Sequence, residues 1–296
     1  GSFHKTAIVN ATGQNQPLVP PQRVAGIFQP LSQRLSVRDI LTVLPATSNL
    51  IEFVKESSST NNAAPQGHGS SPFTAENVAK PESALAFALA YEPVQTIGHW
   101  IPVSRQVQDD APSLQAYIDN RMLYFLKLAE ERQLLNGTGA AGDLNGLITQ
   151  ATAYDTGLNA VGDTNIDKLR HAMLQIELAN AFVSAFVFNP TDWHDIELIK
   201  TTGTASSGEY IFANPHNMGV PNIWGRPVVS SQSITAGHFL AGDFPLAANL
   251  YDRMQSTVEV SREHSDFFVK NMVAILCEER LALVVYRSEA LVYGAF

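Results

Sequence analysis

Cysteine is almost absent from this chain: Cys277 stands alone among 296 residues. One thiol makes no intrachain disulfide and no cysteine-based zinc site. Charge is scarce as well. Asp, Glu, Lys and Arg together make 16% of the chain, against roughly 25% in a typical globular domain. A monomer needs charge on its surface, so the shortage points to a surface largely covered by other protein. Basic residues are the rarer kind, 19 Lys and Arg against 28 Asp and Glu, for a net charge of −9. No Lys/Arg-rich run occurs, which argues against gripping a phosphate backbone. No stretch of about eighteen uncharged apolar residues appears, so no helix is expected to span a membrane. The chain opens GSFHKTAIVN, without Met and without the apolar segment of a signal peptide. Gly1 and Ser2 read either as an appended pair or as the product of proteolytic maturation.

Apolar residues make 45% of the chain, enough to bury one large core or two ordinary ones. Residues 1 to about 30 are polar and punctuated by proline, ending in QPLVPPQRVAGIFQP, and read as an extended arm. Val24, Ile27 and Phe28 suggest that its end packs on something. LSQRLSVRDILTVLP (31–45) carries Leu31, Leu35, Ile40 and Leu41 and reads as short helix or strand. A long excursion follows. It leaves on an alternating strand, Leu50 to Val54, passes a tip rich in Ser, Asn, Gly and Pro, and returns from Ala84 to Ile101 with strand character. A loop of that size inside a domain is usually functional. The spacing of Leu114, Ile118, Phe125, Leu128 and Leu135 predicts a long spine helix. Asp109 or Asp110 would cap it, Pro112 would lie in its first turn, and Asn136-Gly137 would stop it.

A mixed region comes next. TNIDKLRHAMLQIELAN predicts a capped helix with Ile166, Leu169, Met173 and Ile176 on one face. AFVFNP reads as a buried strand and a turn. TDWHDIELIK reads as a helix begun by Thr191 or Asp192. GEYIF, NIWGRPVVSS, HFLAGDF and the cleanly alternating STVEVSRE read as strands, and the C-terminal run from Met272 closes the chain with more.

Few motifs carry chemistry. GTGAAG (Gly137 to Gly142) has the letters of a dinucleotide-binding turn, but that turn must follow a strand and open a helix. Here it follows a helix, so a flexible connector is the expected role. No P-loop, H-E-x-x-H or G-x-S-x-G occurs. His99, His171, His194 and His238 are scattered; His171 and His194 read as packing or hydrogen-bonding residues, and no metal or cofactor is expected. Asn271 and Glu278 flank the apolar stretch Met272 to Leu276. An acid beside apolar groups can have its pKa raised by desolvation and so exchange protons near neutrality. By themselves these residues read as a strand with polar ends.

Taken together, KPES, TIGHW, SRQVQDDAP, EERQLLNG, ATAYDTGLNA, NPTDWHDI, DRMQSTVEVSRE, FVKNM and ILCEERLAL resemble the major capsid protein of chainmail-forming lambdoid tailed bacteriophages, over essentially the whole chain. The resemblance implies an α+β fold. Its parts would be an N-terminal arm (1–30), an extended loop (52–90), a peripheral domain on the spine helix (31–51, 91–142 and 258–288) and an axial domain (143–257 and 289–296). It implies pentamers and hexamers in an icosahedral virion shell that encloses double-stranded DNA without reading its sequence. It also implies partners in a portal and a head protease, assembly in a bacterial cytoplasm, and removal of an N-terminal scaffold segment. The loop tip, APQGHGSSPFTAENV, departs from the family pattern by being longer and more polar.

The resemblance further implies a covalent cross-link. Lys80 of one subunit would join Asn271 of a second, assisted by Glu278 of a third, with Met254 and Leu276 drying the site. Arg105, Glu259 and Arg262 would make contacts around three-fold positions. Protonated lysine, with a pKa near 10.4 in water, is no nucleophile. Burial disfavours its charge, and a carboxylate can then take the proton. Two other readings stand beside this one. The first is a shell protein held by non-covalent contacts alone, with Lys80 as an ion-pairing loop residue. The second is a soluble α/β enzyme, for which no catalytic constellation is visible.

Overall fold

The computed structural model describes residues 29–66, 78–106, 112–140, 142–200 and 221–296. The calls on residues 1–28, on the caps Asp109 and Asp110, on the loop tip at 67–77 and on GEYIF lie outside the described residues.

Strand alternation and one long helix build the first layer. β1 (Thr42–Pro45), β4 (Gln95–Ser104), β10 (Ala248–Ser261) and β11 (Met272–Val285) form a four-stranded sheet in the order β1-β10-β11-β4. Only β1 and β10 run parallel in it. Along β11, Val273, Ile275, Cys277 and Glu279 are buried while the residues between them are half-buried. That period of two gives the sheet an inner and an outer face. Helix α1 (Pro112–Asn136) lies on the inner face and seats Met122 and Leu126 against Ile275 and Cys277. Each such buried side chain contributes about 1.5–3 kcal/mol. Phe125, one of the residues whose spacing predicts the helix, is 44% exposed, with the Arg121 guanidinium 4.5 Å from its ring centroid. A helix this long meets different partners along its length, so no single stripe describes it.

The second layer is a six-stranded sheet, β5-β12-β9-β6-β8-β7. Its strands are β5 (Thr152–Ala153), β6 (Ala185–Phe188), β7 (Asn222–Ile223), β8 (Arg226–Ser230), β9 (His238–Gly242) and β12 (Leu291–Ala295). All four residues of β6 are buried, as a central strand covered on both faces requires. Helix α2 (Asn165–Leu178) buries Leu169, Ala172 and Ile176 and starts with a capping box between Thr164 and Asp167. Helix α3 (Pro190–Glu197) is capped by Asn189, whose side chain accepts from the Thr191 N–H at 3.1 Å. The caps expected from sequence, Thr191 and Asp192, sit inside the helix instead, because Pro190 already fills its first position.

Backbone hydrogen bonds tie the first residues of GTGAAG into the fold. Gly139 N–H donates to Leu144 O at 2.9 Å, and Gly146 N–H to Gly137 O at 3.0 Å. A Cβ on Gly137 would lie 2.2 Å from Leu144 O, so only glycine fits there.

Among the described residues the third unit is a ribbon of two strands, β2 (Leu50–Thr60) and β3 (Ala84–Pro93). Its root is tied down. Val94 N–H donates to Asn49 O at 2.8 Å, Arg280 donates to Asn49 Oδ1 at 2.7 Å, and Phe53 packs edge-on to Tyr286 at 5.0 Å. β10 runs from Ala248 to Ser261, with irregular pairing between Asp252 and Thr257, and spans the 257/258 boundary that the resemblance implies.

Candidate functional site

Lys80 lies four residues before β3, beyond the far end of the ribbon. It is exposed, and among the described residues it has no ion-pair or hydrogen-bond partner. The ribbon stays closed beside it: Asn62 Nδ2 donates to Glu82 O at 2.8 Å, and Gln66 Nε2 to Val78 O at 3.0 Å. From Val94 at the root back to Lys80, chain extended at ~3.3 Å per residue spans about 45 Å. The amine therefore sits on a lever well away from its own sheets.

Asn271 follows the single helical turn Phe267–Lys270, in which Asp266 pairs with Lys270. Its backbone is left-handed, φ 52° and ψ 42°. Asparagine tolerates that region better than most residues, and there it ends the turn and starts β11. Arg105 N–H donates to the Asn271 carbonyl at 2.9 Å, fixing the backbone while the side chain stays exposed. Arg105, Glu259 and Arg262 are also exposed. All lie toward the end of the sheet where Met272 pairs with Ser104 and Ser261 with Ala274.

Glu278 is on the outer face of β11, opposite Gly98 on one side and Thr257 on the other. Leu276 shares that face, opposite Trp100 and Glu259. A cavity of about 400 Å³ opens there, lined by Trp100, Glu259, Ser261, Glu263, His264, Ala274 and Leu276. Met254 is further along, at the irregular stretch of β10 opposite Arg280. It lines a different, polar cavity of about 180 Å³ with Arg38, Lys127 and Glu279. So the structure gathers Asn271, Arg105, Glu259, Arg262 and Leu276 toward one end of the sheet, with Glu278 further along it. Met254 lies apart, and Lys80 is on another unit. Along β11 the seven steps from Asn271 to Glu278 span about 23 Å. One chain's asparagine and glutamate cannot both touch one reacting amine.

Sequence reasoning missed a buried charge network. Arg38 pairs with Glu130 and Asp252, and Lys127 pairs with Glu130 at 2.8 Å and Glu279 at 2.7 Å. Three carboxylates thus face two cations. Burial pushes the Glu279 carboxyl above its ordinary range, the Glu130 charge adds to this, and Lys127 opposes both. Burial works against the Lys127 charge, but hydrogen bonds to Glu130 and Glu279 hold its ammonium above the ordinary lysine value. Burial likewise raises the Cys277 thiol, with Glu279 adding, which leaves an inert core thiol. Beside this network Glu131, 3% exposed, accepts from Ser36 N–H at 2.9 Å, Gln33 Nε2 at 3.1 Å and Ser231 Oγ at 2.5 Å. The available signal was the acidic pairs inside otherwise apolar elements, Glu130-Glu131 and Glu278-Glu279. Alternation turns one member of the second pair outward and the other inward.

The histidines take ordinary places. His99 Nε2 lies 3.0 Å from Met122 O, His171 lies 3.2 Å from Asp163, and His238 stacks on Tyr293. Among the described residues no group of three His, Cys, Asp or Glu side chains is placed to hold a metal ion, and no helix is long and apolar enough to cross a membrane.

Comparison with known proteins agrees with this architecture. The family model described as the phage capsid family matches residues 15–296. The major capsid protein of Enterobacteria phage HK97 is 47% identical over 279 residues, covering 94% of this chain and 69% of that protein. Among solved structures, the capsid of an empty GTA particle computed with C5 symmetry superposes with a TM-score of 0.73 at 19% identity, over 94% of this chain and 95% of that one. A Mycobacterium phage Bobi structure gives 0.69 at 15% identity, over 94% and 95%. A mixed fold of this topology, a chain poor in charge, and a family match spanning nearly the whole sequence lead to one conclusion: the chain belongs to the phage capsid family and is a structural capsid subunit.

Proposed function

We propose that this subunit assembles as pentamers and hexamers into an icosahedral head around double-stranded DNA, and that it links itself covalently to its neighbours. In this reading the four-stranded sheet with α1 is the peripheral body, the six-stranded sheet gathers near the capsomer axis, and the β2–β3 ribbon reaches across to other copies. A portal and a head protease act with it in the bacterial cytoplasm. The net charge of −9 suits a wall that repels rather than adsorbs the genome.

The observation that carries the cross-link is the separation of its three groups. Lys80 stands on a lever of about 45 Å, and Asn271 and Glu278 lie about 23 Å apart on one strand. Neither spacing suits chemistry within one chain, and both suit a site shared by three. Docking of neighbours would desolvate the Lys80 amine against Leu276 and favour its neutral form. With the ammonium's own proton already lost to solvent, the neutral amine nitrogen attacks the Asn271 side-chain carbonyl carbon while Glu278 takes one of that nitrogen's two remaining protons. The C–N bond of the carboxamide breaks and Glu278 returns the proton, so that ammonia leaves and an isopeptide bond remains. Met254 lies apart from Leu276 within one chain, so it would help dry the site only if a different copy supplied it. A primary amide is unreactive, so placement must supply most of the acceleration, and each subunit reacts once.

The test is to boil assembled particles in detergent. A ladder, or material too large to enter the gel, is expected. A single band at 32.2 kDa would leave a shell held by non-covalent contacts alone.

A further inference from the structure

Lys80 is carried on a lever, and a lever is aimed from its root. β3 ends at Pro93 and β4 starts at Gln95, so on that side the ribbon joins the four-stranded sheet through Val94 alone. On the other side, residues 46–49 link β1 to β2. Val94 N–H donates to Asn49 O at 2.8 Å and closes the two sides of the root on each other. Side-chain hydrogen bonds then tie each side to the body. Arg280 of β11 donates to Asn49 Oδ1 at 2.7 Å, next to β2. Asn145, in the turn after α1, donates through Nδ2 to Glu92 Oε1 on β3 at 3.1 Å. The geometry amplifies any slack in these anchors. Paired strands lie ~4.8 Å apart, so moving one anchor by ~1 Å turns the ribbon in its plane by about 12°. Over the lever of about 45 Å, that turn carries Lys80 about 9 Å. A misplacement of ~1 Å at a reacting centre can already cost about 100-fold in rate.

Of these anchors, Arg280 has a further link to the site. It lies two residues after Glu278 on the same face of β11, opposite Thr96 and Met254. Packing alone does not call for arginine there. Among the described residues no carboxylate pairs with it, and its Nε is buried without a hydrogen-bond partner. A methionine would cover the same surface and leave no donor unmet. We infer that Arg280 is a positioning residue for the cross-link: by holding Asn49 it fixes the angle of the β2–β3 ribbon against the strand that bears Glu278, and so sets where Lys80 is presented. This rests on the covalent reading proposed above. Arg280 touches none of the reacting atoms. The reacting Lys80 and Glu278 come from different copies, so each copy must hold its own lever at the same angle for all of them to arrive alike.

The test compares Arg280→Met, Arg280→Lys and Asn49→Ala with the unaltered chain. Asn49 is exposed, so its freed amide regains water, and each variant's capsomers should melt within about 4 °C of the unaltered ones. In expanded particles, mass spectrometry follows the branched Lys80–Asn271 peptide over time. It should form about tenfold more slowly in Arg280→Met and in Asn49→Ala, with Arg280→Lys between these and the unaltered chain. The double variant should be no slower than either single one, because both cut the same tie. The pH profile of the rate should keep its shape, whereas Glu278→Gln should abolish the reaction at every pH. An unchanged rate in Arg280→Met, or additive losses in the double variant, would overturn the inference. A second measurement does not need the cross-link. Spin labels on Lys80→Cys and Arg132→Cys, carried by a few chains among unlabelled ones, report the lever against α1; Cys277 is buried and escapes labelling. The distance distribution should be about twice as broad once Arg280→Met is added, and equal widths would overturn the inference. If unaltered particles form no branched peptide, the covalent reading falls and the role in the cross-link falls with it, while the label widths still decide whether Arg280 holds the ribbon.

Discussion

Replacing Glu131 should be among the most damaging single changes outside the apolar core. Its carboxylate is 3% exposed, and among the described residues no cation pairs with it. Instead it accepts from the Ser36 and Val37 backbone N–H groups on one oxygen, at 2.9 and 3.4 Å. On the other oxygen it accepts from Gln33 Nε2, Ser231 Oγ and Ser233 Oγ, at 3.1, 2.5 and 3.4 Å. Three segments meet there: the stretch before β1, helix α1 and the turn after β8. Glu131→Ala leaves two backbone donors and a buried hydroxyl without partners, at ~1–3 kcal/mol each before water enters, so a net loss of about 3–5 kcal/mol is expected. Glu131→Gln keeps one acceptor for the backbone pair, while the serine hydroxyls can turn to meet the new amide. It should cost only about 1–2 kcal/mol, the difference between charged and neutral acceptors. At about 2–4 °C per kcal/mol for a domain of this size, the alanine variant of the capsomer should melt roughly 6–20 °C lower. Amide exchange at Ser36 and Val37 should accelerate most. If the alanine variant melts with the unaltered protein, or if glutamine is as harmful as alanine, Glu131 is not the tie described.

The Glu279 carboxyl is raised in the fold above its value of 4.5 in water. Its ionised form therefore costs stability above the folded pKa, and that cost is relieved as pH falls from there toward 4.5. Glu279→Gln should remove this pH dependence, raising the urea midpoint near pH 8 relative to the unaltered chain and narrowing the gap near pH 5. A larger gap at low pH would contradict the assignment. Gly137→Ala drives a Cβ to within 2.2 Å of Leu144 O and 2.6 Å of Gln133 O, both backbone, so loss of soluble subunit in an expression assay is expected. The Tyr286 phenol is pushed up to about 12 by burial and by its hydrogen bond with Tyr251. A spectrophotometric titration should lose one late-titrating tyrosine in Tyr286→Phe, and an unchanged curve would refute the pairing.

What the sequence disclosed follows from how local each signal is. STVEVSRE and the run from Met272 announce strands because alternation repeats over neighbouring residues, and β10 and β11 lie where expected. The spine helix was legible in extent, ending at Asn136 before Gly137, but not in orientation. Phe125 faces outward while Glu130 and Glu131 face inward, because their partners, Arg38, Ser36 and Ser231, are about 90 to 100 residues away. No local pattern encodes such a pairing. Of the candidate site, the residue types Lys80, Asn271 and Glu278 were legible only through a family resemblance. Their mutual spacing was not, since it depends on the ribbon's length and on β11 being one straight strand.

The most direct test of the central claim is mass spectrometry of a digest of boiled, mature particles. A branched peptide joining Lys80 to Asn271, lighter by one ammonia than its two parts, is expected, and it should vanish in Lys80→Arg particles of normal shape. Finding only linear peptides spanning both residues, from particles that are fully expanded, would contradict the covalent account.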